Sequence, residues 1–274
     1  MGFQQSSAIA RTPEKQGGRL YFPGRTQLPH VLPLLATTGF VAVIVTWQAF
    51  AVSQQTPFVP PVQNIARAFI DLTVTGEMGK HALASVRTVL LGFGLATFLG
   101  VLLGVAFAQW RVLGTMFMPV LDAVRPISAL ALFPLLILAF GLGQTSKMLI
   151  IFWTAWPSVL LGTVYGLQRV EQETIEAARL DGAGRFHLLW RVQLPLAMPA
   201  IATSLSIGMS AGWISLVAAE MLGSNQGLGY AVLTYSQTFR FPQMYAAIVC
   251  IALCGLVLNR LLAAFQSFTV RRIT

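Results

Sequence analysis

Charge is scarce in this chain. Only 10% of its 274 residues are Asp, Glu, Lys or Arg, against 55% hydrophobic, and the mean hydropathy of +0.70 lies far above that of an ordinary soluble domain. Such a composition excludes an aqueous fold and puts the chain in a bilayer. Cysteine is nearly missing. Cys250 and Cys254, the only two, stand i, i+4 in one apolar stretch. A disulfide there would strain the helix turn and a metal would want further ligands nearby, so they read as packing residues and no metal site is expected. Lysine is confined to Lys15, Lys80 and Lys147, none of them in a Gly-x-x-x-x-Gly-Lys-Ser/Thr setting, which excludes ATP binding through a P-loop. His-Glu-x-x-His and Gly-x-Ser-x-Gly are absent too, and no carboxylate pair within a helix is credible as a catalytic pair. His30, His81 and His187 fall at span ends or in loops. Enzyme chemistry has no candidate here.

What is abundant is hydrocarbon in long runs. Candidate spans lie at 31–52, 86–108, 126–142, 147–167, 196–219 and 243–265, most of them close to the ~20 residues a helix needs to cross. Residues 1–30 hold Arg11, Lys15, Arg19 and Arg25 among Pro, Gly, Gln and Ser, a composition that predicts a flexible basic tail. The remainder, 31–274, reads as one transmembrane domain. The formal net charge of +9 would suit a nucleic-acid binder only if gathered on a soluble surface. Here the basic residues sit at span ends. The tail, Arg111, Arg169, Arg179, Arg185, Arg191, Arg260, Arg271 and Arg272 share one side, and Arg67, Lys80, Arg87, Lys147 and Arg240 the other. That bias places both termini and the 168–195 loop in the cytoplasm. Ala49-Phe50-Ala51 resembles a signal-peptidase site, but the preceding basic region and apolar run are both long for a signal peptide, so the first span reads as an uncleaved anchor.

Smaller features complete the membrane part. Ile65, Ala68, Phe69 and Leu72 recur at helical spacing after Pro57, Pro60 and Pro61, predicting an amphipathic interfacial helix over 64–72. Gly100 and Gly104, Gly162 and Gly166, and Gly208 and Gly212 are small-xxx-small pairs of the kind that lets helix backbones approach in lipid. No internal repeat is visible, so the inverted-repeat build of many secondary transporters gains no support.

The polar stretch between the fourth and fifth spans differs in kind. From Val170 to Arg191, helix-favouring residues are broken by Gly182 and Gly184, predicting two short helices meeting at a turn. Glu171, Glu173 and Glu176 come first and Arg179, Arg185 and Arg191 follow, an order that complements the dipole of the first segment apart from Asp181. Ala177 and Ala178 leave a shallow face on which a bulky side chain from elsewhere can rest.

Glu176-Ala177-Ala178, then Gly182, then Val192-Gln193-Leu194-Pro195 resembles the EAA loop of the membrane permeases of ABC importers, with Val192 in place of Ile. The likeness covers roughly 56–265. Gly76 to Arg87 with His81 and Ser85, Arg125-Pro126-Ile127, Pro134 to Gly141, Trp213 to Gly223 and Gly227-Leu228-Gly229-Tyr230 are similar to the nitrate, sulfonate, taurine and bicarbonate subgroup. Ser128 and Ala129 stand where a second proline is expected.

The resemblance implies an all-α integral membrane protein with six transmembrane helices in the type I importer permease (MetI-like) fold. It also implies a second permease copy, two cytoplasmic ATPases that hold ATP and Mg, and a periplasmic or lipid-anchored solute-binding protein. This chain itself would carry no cofactor. The setting would be a bacterial inner membrane, with no role for nucleic acid. Glu176, Ala177, Ala178, Arg179, Asp181, Gly182, Leu194 and Pro195 would form the ATPase-coupling element. For the translocation path, the fifth span offers Ser206, Met209, Ser210 and Trp213, with Glu220 and Arg125 at helix ends. Hydroxyls there can bond a polar solute or a neighbouring helix, large apolar residues can constrict or pack, and the two charges can gate or lie at the interface. The cargo implied is a small anion. Heteroaromatic or vitamin-precursor cargo is the alternative within the family, and a stand-alone secondary transporter the alternative outside it.

Overall fold

The computed structural model describes residues 31–54 and 56–271, so the basic tail expected over 1–30 lies outside the described residues. Compact units end at Trp47 and begin at Gln48. Helix α1, Val31–Gln54, has the length of a crossing at 1.5 Å per residue. Phe40, Val41, Val43 and Val45 stand exposed along it, as apolar side chains do when their solvent is lipid. From Gln48 onward the described residues are helical and contain no strand. The order is α2 Val62–Val74, α3 Glu77–Gln109, α4 Arg111–Val124, α5 Ala129–Phe140, α6 Gln144–Gln168, α7 Gln172–Leu180, α8 Arg185–Leu188, α9 Leu194–Gly223, α10 Leu228–Gln237 and α11 Phe241–Arg271.

The core is built on α6, flanked by α3 and α9. Ile150, Ile151, Ala155, Val159, Leu160 and Val164 on α6 are fully buried. Burying apolar area does little to join helices in lipid, so close backbone approach has to supply the contact. All three glycine pairs face this interface. A Cβ on Gly104 would lie 2.6 Å from the Thr163 Cβ, one on Gly100 3.0 Å from the Val159 Cβ, and one on Gly212 3.1 Å from the Ile151 Cγ2. A Cβ on Gly162 would collide with the Ser204 side chain, and one on Gly166 would crowd Ala200. The tight bundle expected from the pairs is what the helices form.

Among the described residues, four helical stretches are long and apolar enough to cross a membrane: α3, α6, the continuous run Arg185–Gly223 and α11. The pair α4 and α5 is long and apolar enough only when taken together, and the two are bent by 94° from each other, as in a broken span or a re-entrant loop. This corrects the single span expected over 126–142. Hydropathy sees the apolar run Ala129–Phe140, but α5 is only 12 residues long, about 18 Å at 1.5 Å per residue, too short to cross alone. The break has a local cause. Arg125 closes α4, and the chain then turns through Pro126, with the Ile127 N–H bonded to Val124 O at 3.0 Å; proline has no N–H to continue the ladder.

The interfacial helix expected over 64–72 is α2, which buries Ala68 and Leu72 and exposes Ile70 and Val74. The Gln48 Oε1 accepts the Val62 N–H at 2.9 Å and so holds the start of α2. Helix α10 has no counterpart among the expected spans. Cys250 and Cys254 are free thiols with sulfurs 4.0 Å apart.

Candidate functional site

The polar loop forms two short helices joined at a glycine turn, as the residues predict. Helix α7 ends in a Schellman motif: the Gly182 N–H bonds Arg179 O at 3.0 Å and the Ala183 N–H bonds Ala178 O at 3.0 Å. This requires the left-handed backbone at Gly182, whose φ is +85°, and glycine adopts it without penalty. Glu173 in the first turn and Arg179 in the last complement the helix dipole.

One face of α7 is anchored. Ile175 is buried with Val170 and Leu188, and Ala178 and Val192 pack against them. Ala178 therefore faces inward, and the shallow outer face consists of Ala177 without it. Glu173, Glu176, Ala177, Arg179 and Asp181 are exposed, and Leu180 is 89% exposed. Leu180 is thus an apolar side chain presented on the surface beside the glycine turn, and it takes no part in the core.

Leu194 and Pro195 open α9. Leu189–Gln193 is a π-helical turn leading directly into α9. Pro195 falls just after it. A proline cannot donate to the carbonyl one turn back, and a widened turn is one way for a helix to absorb that missing bond. Because α8, the π turn and α9 run on as one helix of 39 residues, Arg185–Gly223, α7 rests on a rod that reaches the opposite end of the bundle.

At that opposite end lies Glu220, only 1% exposed. Its carboxyl accepts the Ser85 hydroxyl at 2.8 and 2.9 Å and the Gly229 N–H at 2.9 Å. Ser85 Oγ in turn accepts the Leu228 N–H at 2.9 Å, and His81 Nδ1 accepts the Gly227 N–H at 3.2 Å. The first N–H groups of α10, which have no partner within their own helix, are thus satisfied by α3 and α9. Gly227, with φ +119°, and Gly229 are packed so closely on Glu220 and Val217 that a Cβ at either would overlap them. Glu220 is a latch for α10, not an interfacial charge. Sequence reasoning named Ser85, His81 and the Gly-Leu-Gly-Tyr run separately. The signal that joins them is a helix start rich in glycine, which needs an acceptor, near an isolated carboxyl in an apolar span. At the far end of α10, Tyr235 donates to Glu77 Oε1 at 2.9 Å. Burial, then that bond and the carboxylate charge, push its phenol up to about 12, against the opposing pull of Arg240.

The other expected path residues scatter. Met209 and Trp213 are buried in the main core, where their bulk packs. Ser206 and Ser210 donate to Gln266 Oε1 and Asn259 Oδ1, each at 3.3 Å, and Ser210 also reaches Ser206 O at 2.9 Å. They tie α9 to α11. Arg125 is on the surface beside Asp122 at 3.7 Å, so the two charges named for the path, Glu220 and Arg125, are not brought together.

Comparison with known proteins gives a consistent picture. Residues 96–274 match the family described as "Binding-protein-dependent transport system inner membrane component". The chain is 33% identical over 246 residues to the taurine transport system permease protein TauC of Escherichia coli (strain K12), covering 86% of this chain and 87% of that one. It is 28% identical to the bicarbonate transport system permease protein CmpB of Synechococcus elongatus, covering 87% and 90%. It is 29% identical to the putative aliphatic sulfonates transport permease protein SsuC of Bacillus subtilis (strain 168), covering 85% and 84%. Among solved structures, the MetNI methionine ABC transporter in an inward-facing conformation aligns with a TM-score of 0.56 at 17% identity, covering 71% of this chain and 94% of that one. An amino acid ABC transporter with histidines gives 0.54 at 20%, covering 74% and 98%.

Proposed function

The chain belongs to the family of binding-protein-dependent transport system inner membrane components, the multi-pass permeases of ABC importers, and from that premise we propose that Gln172–Gly182 is the helix on which a cytoplasmic ATPase docks. The observation that carries this reading is the anchored helix α7 presenting Glu176, Ala177 and the fully exposed Leu180 beside a glycine-closed turn. A soluble groove that takes Leu180 gains the burial this chain leaves unused.

The mechanism follows from rigidity. ATP binding and hydrolysis in the partner supply free energy only if one conformation of the ATPase pair holds α7 differently from the other. Helix α7 is braced by Leu188 and Val192, and these lie on the helix that continues to Gly223. A displacement of α7 is therefore passed to α9 as a lever, and through Glu220 to the start of α10. Hinge or rigid-body switching between inward-open and outward-open arrangements is the transition such a lever drives.

The cytoplasmic side is the one that carries α7, with both termini there. Two ATPases supply ATP and Mg chemistry, a second permease copy completes the pathway beside α9, and a solute-binding protein delivers cargo to the outer face. The cargo is a small oxyanionic solute of the sulfonate, taurine, bicarbonate or nitrate type, a reading supported by the names of the relatives. Purification of the intact complex, followed by ATPase measurement with binding proteins loaded in turn with taurine, an alkyl sulfonate, nitrate and bicarbonate, tests it. Retention of an ATPase subunit and stimulation by one of these anions is expected. Stimulation only by uncharged or heteroaromatic ligands would overturn the cargo, and absence of any ATPase subunit would overturn the coupling.

A further inference from the structure

A cavity of about 620 Å³ opens among the first turns of α3 and α6 and the end of α9, at the end of the bundle away from α7. Lys80, Arg87 and Lys147 line it, and no Asp or Glu does. Lys80 and Arg87 are seven residues apart on α3 and so share one face. Lys147 comes from the first turn of α6, together with Gly143 and Gln144, so the positive end of that helix dipole points into the same space.

Lys147 decides the character of this cavity. It is only 6% exposed, and burying an ammonium in an apolar bundle is costly unless something of opposite charge attends it. Its Nζ donates to the Ser224 hydroxyl at 3.0 Å. Among the described residues the one ion pair within 4.0 Å is Arg125 with Asp122, so none of the three cations has a carboxylate that close. Glu220 attracts Lys147 electrostatically, but its oxygens are bonded by Ser85 and Gly229 and only Lys147 of the two lines the cavity. Three cations, a helix N-terminus and the side-chain amide of Gln144 converge on a volume that holds a solute of a few heavy atoms.

We propose that Lys80, Arg87 and Lys147 form an oxyanion-binding site at the outer mouth of the permease. It takes a singly charged, three-oxygen group such as a sulfonate or bicarbonate, with Arg87 bonding two oxygens as a fork. Arrival there exchanges the anion's hydration for fixed donors before it enters the bundle. The geometry also fits the phosphate of a lipid headgroup, which offers the same chemistry. The choice of cargo rests on the reading of the chain as an importer permease; the site itself rests on the cavity.

The test uses the intact complex in nanodiscs, with the binding protein left out and methanesulfonate as the probe, titrated calorimetrically at constant ionic strength. One set of discs is pure phosphatidylcholine and the other contains phosphatidylglycerol. Saturable binding is expected in phosphatidylcholine, at least about tenfold weaker in Lys80→Gln/Arg87→Gln, since charge-assisted bonds are lost. Those two residues are exposed and their replacement leaves the core intact. Lys147→Gln, which alters a buried residue, serves as the second variant, judged only if it elutes as a single species. Loss of methanesulfonate binding in phosphatidylglycerol discs, with charge-dependent binding retained in phosphatidylcholine, supports the site and assigns its resident to lipid. Binding that is absent in both lipids, or unchanged in the double variant, overturns the site. Co-elution of the ATPase subunit is recorded in the same preparations, so failure of the anion site is distinguishable from failure of the importer reading.

Discussion

Removing the Glu220 carboxyl should release the start of α10 without touching the apolar packing around it. In Glu220→Ala the Ser85 hydroxyl and the Gly229 N–H both lose their acceptor, each in a buried setting. An unsatisfied buried donor costs about 1–3 kcal/mol, and because Ser85 can rotate toward another acceptor while Gly229 cannot, about 3 kcal/mol in total is a reasonable sum. For a chain of this size that corresponds to roughly 6–12 °C in the unfolding midpoint, at about 2–4 °C per kcal/mol. Glu220→Gln keeps the shape and one acceptor oxygen for Gly229, and the amide can donate to the second lone pair of Ser85, so its shift should be under half as large. The assay is thermal unfolding in detergent read by a thiol-reactive dye, with the buried Cys250 as a native reporter. Ser85→Ala breaks the same network, so the double variant should fall short of the sum of the singles. An alanine variant that unfolds within about 2 °C of the parent, far inside the expected shift, would refute the latch.

Further outcomes follow from single positions. Gly182→Ala meets no atom within 4 Å but must hold φ +85°, a strain of about 1–2 kcal/mol; it should weaken ATPase retention, and Gly182→Pro or Glu176→Lys should abolish uptake while the permease stays inserted, as fractionation and a transport assay can show. Gly162→Leu, pressed against Ser204, should prevent a single monodisperse species, whereas Leu138→Ala on the exposed face of α5 should not. Among the described residues Phe239 is the non-glycine residue with positive φ, +57°, just after α10, so Phe239→Gly should raise stability by about 1 kcal/mol in the same dye assay. The Tyr235 phenol ionises near 12 in the fold rather than near 10. The unfolded chain therefore loses that proton first, and stability falls as pH rises through that window. The difference in tyrosinate absorbance between parent and Tyr235→Phe should appear only near the upper value.

What could be read from the residues and what could not divides along physical lines. The polar stretch from Glu171 to Arg191 stood out because water-facing composition is rare in this chain, and Gly182 marked its turn because a left-handed residue favours glycine. The glycine pairs were legible because their spacing is that of one helix face and their partners need only be small. The bent pair α4 and α5 was not, since hydropathy averages over a window and Arg125-Pro126 interrupts direction without interrupting composition. Helix α10 escaped because ten residues with Tyr230, Thr234 and Ser236 look like neither a span nor a loop. The role of Glu220 depends on Ser85, 135 positions away in sequence, and no local pattern carries that pairing. Met209 and Trp213 suit a constriction by size, but large apolar residues in a span are more often packing, and their burial in the main core decides for packing.

The claim that matters most is that a soluble ATPase sits on α7. Benzoylphenylalanine in place of Leu180, photolysed in native membranes that contain the whole transporter, tests it at one side chain. Leu138 is as exposed as Leu180 but lies on an apolar membrane helix, and it serves as the control position. Capture of an ABC ATPase subunit from position 180 and not from 138 is the predicted result. Labelling of lipid or water alone at 180, in a chain that purifies without any ATPase and moves solute down an ion gradient, would contradict it.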